Sequence, residues 1–310
     1  MLDLRSRLAG GLIGLLVGDA LGVPYEFHSA ASIPRVDEIE FSPPAGFHRA
    51  HYGVPPGTWS DDGAQALALL ASLLDCGSLE LDDFSRRLLA WADRGEYAVG
   101  GRVFDIGGQT SHAFSRLRAG VPPAEAGPRG EWDNGNGSLM RVLPLALWHT
   151  GSDTELVQDA HRQSLPTHGH PRSLVCCALY CLWARRVLEG ASDAWCDAAS
   201  SLRAIYDVSS RERAELEESV RPDDPPNGKG GGYVLDCLNS ARLVMGAGRY
   251  EDVVKAAIAL GNDTDTTACV AGGIAGLRDG HEAIPLRWRQ GLRGQEMAVP
   301  LLGRLLASRA

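Results

Sequence analysis

Gly261-Asn262-Asp263-Thr264-Asp265-Thr266-Thr267 opens a run of small and apolar residues that continues to Leu277. Apolar positions in that run recur with helical spacing, which predicts a helix over Thr266 to Leu277 with an acidic, hydroxyl-bearing start. Its body is low in bulk, with Ala271-Gly272-Gly273 and Ala275-Gly276. Glycine costs about 1 kcal/mol per site in a helix interior, so such a run belongs where helices approach closely. The amino terminus repeats the theme: Gly10-Gly11, Gly14, Gly18 and Gly22 punctuate a second apolar helix predicted over Leu4 to Leu21. We read the two as buried central helices near one another, and their glycines as packing residues without a ligand role.

The same 3.6-residue period recurs over Ala64 to Leu74, Leu81 to Ala92, Ser111 to Arg118, Leu139 to Trp148, Thr154 to Ser164, Ser173 to Leu188, Trp195 to Tyr206, Val234 to Met245 and Glu251 to Leu260. Alternating, strand-like runs are almost absent. Turn chemistry separates the helices at Pro43-Pro44, Pro55-Pro56-Gly57, Pro122-Pro123 and Pro222 through Gly232. The expected fold class is all-α, a single multi-helix domain over residues 1–310. Residues 222–232 are too short for a domain boundary and too glycine-rich for a helix, which suits a surface or active-site loop.

A formal charge of −9 argues against an extended nucleic-acid surface or an anionic-membrane surface, because both need clustered Lys and Arg. Seven cysteines without metal-ligand spacing suit reduced thiols in a cytoplasm, with Cys176, Cys177 and Cys181 in the core. Arg5 and Arg7 before Leu8 to Val17 mimic a signal peptide, but no small-residue cleavage site follows and Gly18 to Gly22 reads as continuing structure. No apolar run is read as reaching the roughly 20 residues that span a bilayer. The expectation is a cytoplasmic protein without a membrane partner, a monomer by default.

A second acidic cluster, Thr58-Trp59-Ser60-Asp61-Asp62-Gly63, stands before the helix at Ala64. Ser and Asp are favoured N-cap and first-turn residues, so capping explains either cluster taken singly. Two such pairs before two buried helices are harder to explain that way, since adjacent carboxylates repel unless a cation or proton intervenes. Hard divalent cations such as magnesium or manganese take all-oxygen ligand sets of this kind. Asp263-Thr264-Asp265-Thr266-Thr267 also fits the D-x-D-x-T pattern of haloacid-dehalogenase-type phosphotransferases, but that pattern needs a strand ahead of it, and Val253 to Leu260 is helical. Gln65 breaks the D-D-x-x-D arrangement of prenyl-diphosphate enzymes. The His-Asp dipeptide of histidine-aspartate phosphohydrolases is missing from the sequence.

Six motifs in order carry a family resemblance: Gly18-Asp19-Ala20-Leu21-Gly22-Val23-Pro24-Tyr25-Glu26, Trp59-Ser60-Asp61-Asp62, Gly135-Asn136-Gly137-Ser138-Leu139-Met140-Arg141, Thr167-His168-Gly169-His170-Pro171, Gly232-Tyr233-Val234 and Gly261 through Thr266. In series they resemble the ADP-ribosylglycohydrolase family over roughly residues 5 to 280. The resemblance implies an orthogonal all-α bundle with a central cleft for two divalent cations, Mg2+ or Mn2+. It implies Ser60, Asp61, Asp62, Asp263, Asp265 and Thr266 as metal ligands. It further implies Glu26, with Asp61 and Asp62, as the catalytic set. The family usually has Thr at position 60, and often Thr at 63 and Gly at 262, where this chain has Ser60, Gly63 and Asn262.

Cleavage of ADP-ribose from its acceptor passes through an oxocarbenium-like state at the distal ribose, whose vicinal hydroxyls suit a hard metal pair. Glu26 would act as acid or base, or else be a solvated loop carboxylate. The Asn134 to Ser138 turn, with Asn136, Gly137 and Ser138, would cradle the diphosphate through backbone N–H groups, or be an ordinary turn and cap. His168 would bond the ligand or cap the helix after Pro171. Tyr233 would stack on adenine. Asp19 reads as a buried structural hydrogen-bonder, Arg141 as a ligand group or a structural ion pair, and His48, His51, Glu215 and Glu218 as surface residues.

The expected activity is hydrolytic release of ADP-ribose from a modified acceptor, foremost a protein side chain through an arginine or serine linkage, with ADP-ribose as product. Two alternatives stand beside it: a non-catalytic ADP-ribose-binding module, and a metal-dependent hydrolase of another nucleotide or of a guanidino compound.

Overall fold

In a computed structural model, which describes residues 2–309, helices fill the chain and no β-sheet forms among the described residues. The α-helices are α1 (Leu4–Gly22), α2 (Asp61–Cys76), α3 (Leu81–Arg94), α4 (Gly108–Arg118), α5 (Pro123–Ala126), α6 (Leu143–Trp148), α7 (Asp153–Ser164), α8 (Pro171–Glu189), α9 (Ala194–Ile205), α10 (Arg211–Ala214), α11 (Val234–Val244), α12 (Tyr250–Ala259), α13 (Thr264–Asp279), α14 (Leu286–Gly291) and α15 (Gln295–Ser308). Two isolated bridges, Ser29 with Gly261 and Gly135 with Tyr233, tie loops together.

The centre is an antiparallel pair, α1 against α13, in contact along their whole length. Glycine makes that approach possible. A Cβ on Gly10 or Gly18 would collide with the carbonyl oxygen of Gly276 or Ala268, and one on Gly14 would lie 2.6 Å from the Gly272 oxygen. Buried hydroxyls clasp the seam: Tyr250 donates to the Gly14 carbonyl at 2.8 Å, Tyr180 to Val270 at 2.8 Å and Thr264 to Gly22 at 2.8 Å. Around this pair, α2 packs with α3, α6 and α15, α8 with α7 and α9, and α12 and α11 lie against α13. One continuous apolar core results.

Several sequence expectations change. Leu4–Tyr25 is long and apolar enough to cross a membrane, against the expectation that no run was; 94% of that window is buried, as in a core helix. The helix expected over Leu139 to Trp148 begins only at Leu143, with Pro144 in its first turn, where a proline needs no N–H partner. Helix α15 was not anticipated because Pro300 interrupts its pattern. Helix α14, and the turn at α10 that continues as a π-helix over Glu215–Val220, are too short for periodicity to reveal.

Candidate active site and metal centre

Helices α2 and α13 begin with their acidic pairs facing one another. Asp19, near the end of α1, is wholly buried and accepts from the backbone N–H of Ser60 (2.9 Å) and of Gly63 (2.8 Å). It thereby fastens the start of α2 to the central helix, the structural role read from the sequence. Thr266 Oγ1 on α13 reaches Asp62 Oδ1 on α2 at 3.4 Å, which joins clusters two hundred positions apart. Ser60 caps α2 weakly, accepting from Asp62 N at 3.3 Å.

Two loops complete the cleft. Phe27 N donates to the Asn262 carbonyl at 2.7 Å and Asn262 N to the His28 carbonyl at 2.6 Å, so the Glu26 turn is pinned to the start of α13. Asn262 has φ +64°, a left-handed conformation that glycine or asparagine adopts readily. That is why Asn can stand where the family often has Gly. Asn136 Nδ2 donates to Asp263 Oδ2 at 2.8 Å, while its backbone N–H is taken by the Gly232 carbonyl at 3.0 Å.

The result is a cleft of about 310 Å³ whose lining includes Glu26, Asp61, Asp62, Asp105 and Asp263, with Asp265 behind them. A larger cavity of about 470 Å³ beside α8 and α9 has arginines, tryptophans and a single carboxylate, Asp193, but no carboxylate cluster, so the chemistry belongs to the smaller cleft. Ligand atoms of Glu26, Asp263 and Asp265 lie within 4.8 Å of one another, as do those of Glu26, His51 and Asp105. Burial, followed by carboxylate neighbours, pushes Asp61, Asp62 and Asp265 well above the usual carboxylate range and Glu26 up to about 10. Asp62 Oδ2 and Asp265 Oδ2 are buried without a hydrogen-bond partner. Buried, unpartnered carboxylate oxygens converging from two helices fit a divalent cation, which would relieve both repulsion and desolvation.

His51 and Asp105 are the site residues the sequence reading did not find. His51, expected at the surface, is largely buried, with Nε2 2.6 Å from Glu26 Oε2. Asp105, with φ +61°, brings a carboxylate oxygen within 4.8 Å of ligand atoms of Glu26 and His51. A single Asp before Gly107-Gly108 and a lone His in an irregular loop leave no periodic or paired signal. Glu215 is likewise no free surface group, since it pairs with Arg172 at 2.9 Å.

The remaining expectations divide. Gly137 and His168 line the cleft, and a Cβ on Gly137 would meet His168 Cε1 at 2.8 Å. His168 does not cap α8; His170 does, accepting from Arg172 N. The His168 ring is held neutral by burial, down to about 3. Ser138 points away into the interior, where its hydroxyl accepts from Ser164 Oγ at 2.8 Å. The Asn134 to Ser138 turn does not start a helix, so the helix-terminus part of the cradle is absent there. Tyr233 is 43% exposed beside Gly232 and accepts from Arg172 at 2.9 Å. Arg141 forms no ion pair; it is buried among glutamines.

The full chain, residues 1–310, matches the model of the ADP-ribosylglycohydrolase family. It is 29% identical to the ADP-ribosylarginine hydrolase Tri1 of Serratia proteamaculans over 94% of this chain and 76% of that one. It is 27% identical to the ADP-ribosyl-[dinitrogen reductase] glycohydrolase of Rhodospirillum rubrum over 92% and 90%. A solved structure described as an ADP-ribosylglycohydrolase-related protein complex superposes with a TM-score of 0.78 at 30% identity, covering 99% of both chains. With this cleft and these relatives, the chain belongs to the ADP-ribosylglycohydrolase family of hydrolases.

Proposed function

We propose that the protein hydrolyses the bond between ADP-ribose and a protein side chain, with arginine as the preferred linkage and two Mg2+ or Mn2+ ions as cofactors. The observation that carries this reading is the convergence of the two acidic helix starts with Glu26 and Asp105 in one cleft, with two carboxylate oxygens left unpartnered. Ser60, Asp61, Asp62, Asp263, Asp265 and Thr266 would hold the ions. Bound there, the pair would supply Lewis-acid polarisation of the ribose hydroxyls and of a water.

This chain's own residues do the rest. Glu26, held at 2.6 Å by His51, stands at the cleft wall to pass a proton to the leaving group or take one from the attacking water. Asn136 fixes Asp263 through its side-chain amide. Gly137 and His168 form the wall against which the diphosphate lies, and the exposed ring of Tyr233 is the adenine platform.

Arginine is preferred on chemistry. The cleft is walled by carboxylates, and Phe27, 71% exposed, stands at its mouth beside Glu26. A planar guanidinium suits an aromatic face above an acidic well. Similarity to two ADP-ribosylarginine hydrolases, at 29% and 30% identity, supports the same preference. The test is release of free ADP-ribose from arginine-linked and serine-linked peptides with Mn2+, with Mg2+ and with a chelator. Metal-dependent release from the arginine linkage is expected; no release from either would refute the activity, and faster serine turnover would refute the preference.

A further inference from the structure

A buried cation lies beneath the acidic cleft, and no carboxylate pairs with it. Arg141, in the turn before α6, is wholly buried. Its guanidinium meets neutral acceptors: Nη1 donates to Gln65 Oε1 at 2.8 Å, Nη2 to the Gln163 carbonyl at 2.9 Å and Nε to Gln163 Oε1 at 3.3 Å. The Phe84 ring covers it, 5.1 Å from centroid to guanidinium carbon. Buried charges are ordinarily paired directly. Here the nearest anionic partner stands one amide away.

That amide belongs to Gln65, one turn along α2 from Asp61, and its Nε2 donates to Asp61 Oδ2 at 3.1 Å. An arginine has no acceptor, so Arg141 accommodates only the carbonyl end of the Gln65 side chain. The amino end is thereby forced toward Asp61, and the two amide orientations are no longer interchangeable. Donors run in one direction from a fixed positive charge to a carboxylate that lines the cleft. Partners that orient a ligand from behind in this way typically set metal affinity.

We propose that Arg141, acting through Gln65, is a positioning residue for the metal centre, locking the Asp61 carboxylate in the orientation that receives a cation. The proposal rests on Asp61 being a metal ligand and is independent of the substrate.

Gln65→Glu gives the sharpest test. It keeps an acceptor for Arg141, so the buried cation stays satisfied, but it removes the donor to Asp61 and sets a second carboxylate against it. Calorimetric titration of Mn2+ into the metal-stripped full chain is expected to show ~10–100-fold weaker binding than in the parent protein. Equal or tighter Mn2+ binding would overturn the proposal. Gln65→Leu guards against a compensating effect of the new charge: the same weakening is expected in the folded protein. A lower melting temperature with Mn2+ affinity within about two-fold of the parent would mark a merely structural role and overturn the proposal. Arg141→Lys, which keeps one donor to Gln65, is expected to retain more affinity than Arg141→Met; equal affinities would contradict the relay. Because Mn2+ binding is read directly, failure of the parent protein to release ADP-ribose would refute the proposed activity alone.

Discussion

Helices α1 and α13 run side by side through the molecule, and their two ends obey opposite rules. Along the seam, every choice favours packing: glycine where backbones touch, and tyrosine hydroxyls that find carbonyls. At the cleft end, Asp265 and Glu26 crowd against Asp62 and Asp105, buried and above the usual carboxylate range. A helix end so frustrated is tenable because the rest of the same helix is so well packed. Sites that violate local rules of stability are where function concentrates.

That contrast can be broken first at the seam. Gly276→Val drives a side chain into the Gly10 carbonyl, backbone that cannot turn aside, and is expected to lower stability by ~3 kcal/mol or more in denaturant titration. A loss below about 1 kcal/mol would mean the helices can part, contrary to the close seam.

At the cleft, Asp62→Asn or Asp265→Asn should do the reverse. Activity is expected to fall by ~100-fold or more on loss of a ligand, while the metal-free protein becomes more stable, by about 1 kcal/mol, since a buried carboxyl that folding must protonate is replaced by a neutral amide. Near-normal turnover in either variant would remove it from the ligand set. In the unaltered chain, Mn2+ at a hundred times its dissociation constant should add ~2.7 kcal/mol of stability, lost again on chelation.

Acid sharpens the picture of the cleft, because its carboxylates respond with a sign opposite to that of a histidine packed far from it on α7. The cleft carboxylates have folded-state values above their unfolded ones, with Glu26 at about 10, so in metal-free protein they stabilise the fold at low pH and that contribution fades as pH rises through the folded value. His161, half-buried on α7 with its Nε2 2.7 Å from the Tyr206 hydroxyl, is lowered to about 4, chiefly by desolvation. Its contribution is whole above the unfolded value near 6.5 and is lost as pH falls toward 4. His161→Gln should therefore flatten the loss of stability between pH 7.5 and pH 5, by about 1–2 kcal/mol. An unchanged slope would free His161 of that role.

Much of this was legible in the sequence, for identifiable reasons. The glycine-marked helices, the acidic starts at Ser60 and Asp263, and Asp19 as a buried anchor all follow from periodicity and residue chemistry. His51 and Asp105 escaped because they reach the cleft on irregular loops, where neither a period nor a paired charge marks a residue. The glycine-rich turn at Ser138 suggests a cradle of backbone N–H groups, a reading on which the inward direction of the Ser138 hydroxyl has no bearing. Arg141 misled: a buried arginine suggests an ion pair, whereas its partners Gln65 and Gln163 are amides supplied by two other helices.

The most direct test of the account is titration of ADP-ribose into the full chain, once loaded with Mn2+ or Mg2+ and once stripped of metal. Binding in the loaded protein that disappears on chelation is the predicted result, and it would join the acidic helix starts to the ribose they are said to hold. Binding that survives chelation, or none in either state, would contradict it.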